Sequence, residues 1–187
     1  MSRFTTILMI PILFAACGDA ADNETEAVVD GTDSLSIGAV ETPASVSLRD
    51  SAGREFGSLM LAHSDSGIQV TGRVVGLAQG EHGIHIHAVG SCSPTFEAAG
   101  PHWNPEARQH GTDNSEGPHR GDLLNLQVQS DSAGTIASVT RGGRLEDLFD
   151  ADGSSVVVHA TADDYRTDPD GSSGGRIACG VVTRGGM

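Results

Sequence analysis

The chain of 187 residues has no lysine; its eleven basic side chains are all arginine, set against twenty-five aspartates and glutamates. The resulting formal charge of −14 excludes nucleic acid as a partner, because a phosphate backbone requires a basic surface. Aromatic residues are scarce, at 4%, and no stretch carries the sustained amphipathic periodicity of a helical bundle. The longest apolar run, FTTILMIPILFAA, has thirteen residues, short of the roughly 20 that span a bilayer as a helix. What is plentiful is glycine, with 25 residues, and glycine-rich turns between short apolar runs point to strands. The length suits one domain with a core of its own plus a tail.

The tail comes first. A positive start (MSR) followed by the apolar run and small alanines reads as a cleaved signal peptide over residues 1–16. LFAAC resembles a bacterial lipobox, which makes Cys17 the candidate lipid anchor, although Phe14 is unusual there; a plainly secreted form is the alternative. Either way the chain is exported, to the periplasm or cell envelope, and touches a membrane only through such a lipid. Residues 17–43 then carry seven acids and no base, too little apolar surface to offset the entropy of ordering, and read as a flexible tether. That leaves residues 44–187 as the functional domain. With Cys17 set aside, Cys92 and Cys179 form an even pair in an exported protein and are expected to be disulfide-bonded. A loop that long gives roughly 4 kcal/mol on chain-entropy grounds.

Eight segments read as strands: 44–50, 56–64, 67–77, 82–88, 123–129, 134–141, 154–162 and 176–182. Turn signals such as DSAG, SDSG and DADG separate them, so the expected fold is all-β, an eight-stranded antiparallel Greek-key barrel or sandwich. RLEDLFD (144–150) is the one helix-like fragment. Two connections, 89–122 and 163–175, are longer than a compact β domain needs, which marks them as functional.

The first long loop follows GEHGIHIHAVGSC. In a strand, residues i and i+2 share a face, so His85 and His87 project together and can converge on one ion. His102, His110 and His119 follow in the loop, with Asp122 three residues after the last. Three imidazoles and a carboxylate make a tetrahedral zinc set. His159 lies inside the apolar segment SVVVHATA, where a buried histidine is either structural or a further ligand. His63 reads as a surface histidine at a strand end.

Taken in order, HGIHIH, AAGPHWNP, QHG, PHRGDLLN, VVVHATADD and GGRIACGV resemble the signatures of the copper/zinc superoxide dismutases over roughly residues 44–187. The resemblance implies copper on His85, His87, His102 and His159, and zinc on His102, His110, His119 and Asp122, with His102 bridging both metals and supplying a proton. It implies that Asp163 orients His85 and His110 from outside, that Arg176 guides the superoxide anion, and that Cys92 and Cys179 pair. His82 matches a structural, hydrogen-bonded histidine.

The chain also departs from the family. The spacing from His87 to Cys92 is short and is compensated before His102, which alters the subunit-contact loop and leaves the oligomeric state, monomer or homodimer, open. The second long loop, DDYRTDPDGSSGG, has no lysine, so Arg166 and Arg176 are the cations expected to steer the substrate. Residues 44–187 hold ten arginines and eighteen acids, a net −8, and the expected rate gain at low salt is accordingly modest. The competing function is a non-catalytic copper/zinc-binding module on the same fold. A zinc hydrolase is disfavoured, since neither H-E-x-x-H nor a nucleophile elbow occurs.

Overall fold

The computed structural model describes residues 42–185; the expected signal segment, Cys17 and nearly all of the tether lie outside them. Among the described residues are ten strands and two short 3-10 helices, and every pair of neighbouring strands is antiparallel. The strands are β1 (Ala44–Arg49), β2 (Glu55–Ser64), β3 (Gly67–Val75), β4 (Gly80–His82), β5 (Ile84–His87), β6 (Leu126–Val128), β7 (Ala133–Val139), β8 (Ser155–His159), β9 (Arg176–Val181) and β10 (Thr183–Arg184). Their lateral order is β4-β6-β7-β3-β2-β1-β9-β8-β5, with β10 pairing β1. The two ends of this ladder, β4 and β5, are adjacent in sequence, so the chain itself nearly closes the barrel at Gly83.

Period-two burial builds the core. In β1, Ala44, Val46 and Leu48 point inward while Ser45, Ser47 and Arg49 face out. Leu59 and Leu61 of β2, Ile68 and Val70 of β3, Ile136 of β7 and Val156 and Val158 of β8 complete the same apolar cluster. Leu61 is fully buried, and truncating it to alanine would cost about 2–5 kcal/mol.

Strands β5 and β8 break the alternation, since every residue in both is buried. Ile84 and Ile86 join the core cluster, while the opposite face, carrying His85 and His87, lies beneath the long loops. The first loop is stitched to the free edge of β5. Ile86 N–H donates to Gly121 O at 2.9 Å, Trp103 N–H to Ile86 O at 2.8 Å, and Ala88 N–H to Pro101 O at 2.9 Å. Residue 121 must be glycine, because a Cβ there would strike the Ile86 carbonyl.

Three expectations need correction. The run 82–88 is not one strand: His82 pairs with Leu126, whereas Ile84 pairs with Val158. The chain changes partner at Gly83, and continuous alternation conceals such a switch. The run 123–129 contributes only Leu126–Val128, and β10 is a further short strand. The fragment 144–150 does form a helical turn, Leu145–Phe149, but it is a 3-10 helix, and a second one, Phe96–Ala99, lies inside the first long loop.

Candidate metal centre

Five of the six ligand histidines named from the sequence have a buried ring nitrogen with no hydrogen-bond partner: His85 Nδ1, His87 Nε2, His102 Nε2, His110 Nδ1 and His159 Nε2. Buried polar atoms are normally paired, so orphans gathered in one place mark a ligand site. The potential donor atoms of His85, His87, His102 and His159 lie within 4.8 Å of one another, as do those of His102, His110, His119 and Asp122, and all these residues are buried. His102 belongs to both sets.

The second set converges on one carboxylate oxygen. Asp122 Oδ1 lies 2.9 Å from His102 Nδ1, 3.1 Å from His110 Nδ1 and 3.3 Å from His119 Nδ1. Its partner Oδ2 accepts the backbone N–H groups of Gly111 and His119 at 2.9 and 3.0 Å. Such an array of three nitrogens and one oxygen suits zinc. The first set, four imidazoles, suits copper.

Outer contacts fix the ring tautomers. His85 Nε2 donates to Asp163 Oδ2 at 2.7 Å, His87 Nδ1 to Gly100 O at 2.9 Å, and His159 Nδ1 to Gly174 O at 3.2 Å. With the proton on the outer nitrogen, the inner one keeps a lone pair for a metal. Asp163 also accepts from His110 Nε2 at 3.0 Å, so one buried carboxylate joins a ligand of each set. Asn125, which the sequence reading passed over, pins Asp163 by exchanging two 2.9 Å hydrogen bonds with its backbone. The signal for Asn125 was available in PHRGDLLN, where it ends the motif.

Burial sets the electrostatics. Desolvation lowers His85 to about 3, His87 to about 2 and His159 to about 4, each from the ordinary imidazole value of about 6.5, so these rings are neutral at pH 7. Burial works the same way on His110, but the Asp122 and Asp163 carboxylates beside its two ring nitrogens prevail and raise it to about 10. For Asp122 and Asp163 burial is likewise outweighed, by their histidine partners, and both carboxyls are held well below the usual range.

A cleft of about 930 Å³ opens over the site, reaching His102, His119 and His159. Arg176 stands in its wall, with Nη1 donating to Phe96 O at 2.7 Å and Nη2 to Gly100 O at 2.8 Å. The other cation of the cleft is Arg108. Arg166, expected to share the steering, is not part of the lining and pairs with Asp113 at 3.2 Å. Four acids, Glu97, Asp150, Asp168 and Asp170, share the walls.

Cys92 and Cys179 form a disulfide with a Cα–Cα distance of 5.8 Å, which fits an oxidising compartment. His82 lies apart from both sets, with its ring nitrogens facing His159 O and Ala78 O at 2.8 and 2.9 Å. His63 is exposed near the end of β2.

A nearly closed antiparallel β barrel with two donor sets sharing a histidine defines a class of dinuclear metalloprotein. The chain belongs to the copper/zinc superoxide dismutase family, whose model matches residues 56–182. It is 36% identical over 144 residues to superoxide dismutase [Cu-Zn] 2 of Aquifex aeolicus, covering 72% of this chain and 83% of the relative. To superoxide dismutase [Cu-Zn] of Caulobacter vibrioides it is 37% identical over 138 residues, covering 70% and 79%. The structure of a SOD-like protein from Bacillus subtilis matches with a TM-score of 0.69 at 36% identity, covering 73% of this chain and 96% of that one. Copper/zinc superoxide dismutase from Brucella abortus matches with a TM-score of 0.64 at 27% identity, covering 74% and 98%. The protein is thus an oxidoreductase of the superoxide dismutase type, with copper and zinc as its cofactors.

Proposed function

We propose that the protein dismutes superoxide in the cell envelope, with His85, His87, His102 and His159 holding copper and His102, His110, His119 and Asp122 holding zinc. The observation that carries this reading is the set of orphaned ring nitrogens of His85, His87, His102 and His159, of which His102 and His159 reach a cleft walled by Arg176. Copper supplies, when bound, the one-electron chemistry that turns two superoxide ions and two protons into dioxygen and hydrogen peroxide.

The chain's own residues do the rest. Arg176 spends two of its five N–H donors on backbone carbonyls and keeps the others for an anion, as a fixed charge with charge-assisted hydrogen bonds. His102 holds a proton at Nε2 between the two half-reactions and passes it to the peroxide, while Nδ1 stays with the zinc set. Asp163 keeps His85 and His110 in register from behind. Residues 1–16 act as the signal segment and Cys17 as a lipid anchor, with 17–43 as the spacer to the functional domain.

Superoxide decay by the protein reconstituted with copper and zinc, compared with zinc alone, tests the reading. Fast decay that requires copper supports it, and stoichiometric metal without copper-dependent decay contradicts it. The second reading, a metal-binding module without turnover, draws on relatives named superoxide dismutase-like, among them one from Bacillus subtilis that is 38% identical over 146 residues. Against it stands Arg176, since storage needs no anion guide.

A further inference from the structure

Each outer ring nitrogen in the two donor sets faces an oxygen acceptor: Asp163 for His85 and His110, Gly100 O for His87, and Gly174 O for His159. His102 turns a nitrogen to each set. His119 completes the pattern only through Asp168, a residue of the second long loop to which neither the sequence motifs nor the family match assigns a role. Asp168 Oδ1 lies 3.6 Å from His119 Nε2, and the same oxygen accepts the backbone N–H of His110 at 2.6 Å. The inner nitrogen of His119, Nδ1, meanwhile faces Asp122 Oδ1 at 3.3 Å and His102 Nδ1 at 3.4 Å.

The turn carrying Asp168 is built to hold it there. Asp164 accepts the N–H groups of Arg166 and Thr167 at 2.9 and 2.8 Å, and Thr167 O accepts Gly171 N–H at 2.7 Å.

From this geometry we infer that Asp168 is a positioning residue for the zinc set, acting on two of its ligands at once. The 2.6 Å hydrogen bond fixes the backbone from which His110 projects. Across 3.6 Å, beyond a hydrogen bond, the carboxylate acts on His119 by charge, favouring the proton on Nε2 and enriching Nδ1 as a donor. The side chain is 48% exposed, against 0% for Asp163, so its effect belongs at the lower end of what such carboxylates exert. The inference rests on the zinc assignment proposed above.

Zinc affinity of the copper-free mature protein, measured by competition with a chromophoric chelator, is the test, with cobalt(II) absorption as a second readout. Asp168→Asn keeps an acceptor oxygen and removes the charge; Asp168→Ala removes both. We expect about a tenfold weaker zinc affinity for Asp168→Asn and a larger loss for Asp168→Ala, the range that such outer carboxylates command. The cobalt bands should shift and the metal-free melting temperature of Asp168→Asn should stay unchanged. Affinities within twofold of the parent for both variants, beside a His119→Ala control that has lost zinc, overturn the inference alone. A His119→Ala control that binds zinc normally overturns the zinc assignment and the inference with it. A fall in the metal-free melting temperature of Asp168→Asn that matches its zinc loss also overturns it, since support of the fold would then suffice.

Discussion

His87 and Arg176 donate to the same acceptor, the carbonyl oxygen of Gly100, at 2.9 and 2.8 Å. One peptide group therefore fixes the tautomer of a candidate copper ligand and the position of the candidate anion guide. The Nε of Arg176 also lies 3.7 Å from the Glu97 carboxylate, whose side chain is 79% exposed. The same short segment thus holds the guanidinium and partly offsets its charge.

Arg176→Gln should keep both metals and lose turnover. Removing a hydrogen bond to a charged group costs about 1.5–3 kcal/mol, equivalent to roughly ten- to hundredfold in kcat/KM. Glu97→Gln should raise kcat/KM at low ionic strength by a small factor that vanishes in salt, because the pair is solvent-screened. Among the described residues, Glu97, Asp150, Asp168 and Asp170 outnumber the arginines of the cleft, Arg108 and Arg176, so the unmodified protein should gain little rate as salt falls. Stopped-flow superoxide decay across a salt series checks all three, and a steep rise at low salt would contradict the last.

Asp163→Asn should weaken both metal sites. The carboxylate contacts His85 and His110 directly, and loss of such an outer partner typically costs 10–100-fold in metal affinity. An effect confined to one metal, measured by chelator competition for each, would mean that the two contacts are not equivalent.

The metal-free protein should lose stability steeply in mild acid. His85, His87 and His159 stay neutral down to about 3, 2 and 4 in the fold, against about 6.5 for a free imidazole. As pH falls below about 6.5 the unfolded chain takes up these protons and the folded one does not, so stability drops by up to about 1.4 kcal/mol per pH unit for each histidine. The depressed carboxyls of Asp122 and Asp163 extend the loss below about pH 4. His110, raised to about 10, has the opposite sign: its contribution is full below about 6.5 and fades as pH rises toward 10. Denaturant melts from pH 4 to 9 should give a maximum near neutrality, and the metal-loaded protein should resist acid until its ligands are protonated.

Strand alternation made β1, β2, β3 and β7 legible, because one face of each meets the core and the other solvent. It misled at His82–His87, where alternation runs unbroken through a change of neighbour at Gly83. The candidate ligand histidines were legible through the H-x-H pair, the loop histidines with Asp122 and the family resemblance of their order, and the fold gathers them into two donor sets. Arg108 and Asp168 were not, since a lone arginine or aspartate in a loop has no signature until folding brings it to a cleft or a ring. The parity of Cys92 and Cys179, once Cys17 was set aside in a chain read as exported, was enough to expect the pair that the structure forms. That Cys92 and Cys179 pack with Phe96 and Ala99, next to Gly100, depends on three-dimensional contacts.

This last connection yields a prediction about function as well as stability. The Cys92–Cys179 bond spans 87 residues and ties β9 to the start of the segment bearing Phe96 and Gly100, whose carbonyls hold Arg176. Replacing both cysteines with serine should lower the stability of the metal-free protein by about 2–5 kcal/mol, read from the denaturant midpoint. It should also release the Phe96 and Gly100 carbonyls, so that kcat/KM falls by more than copper occupancy does. Copper should remain bound, though more weakly: β5 and β8, which carry His85, His87 and His159, stay paired without the bond, while His87 loses the firm Gly100 acceptor that fixes its tautomer. Copper content and superoxide decay measured on one preparation separate the two effects. A proportional fall in both would mean that the disulfide acts only by keeping the barrel folded, whereas lost turnover at full copper would make it a brace for Arg176.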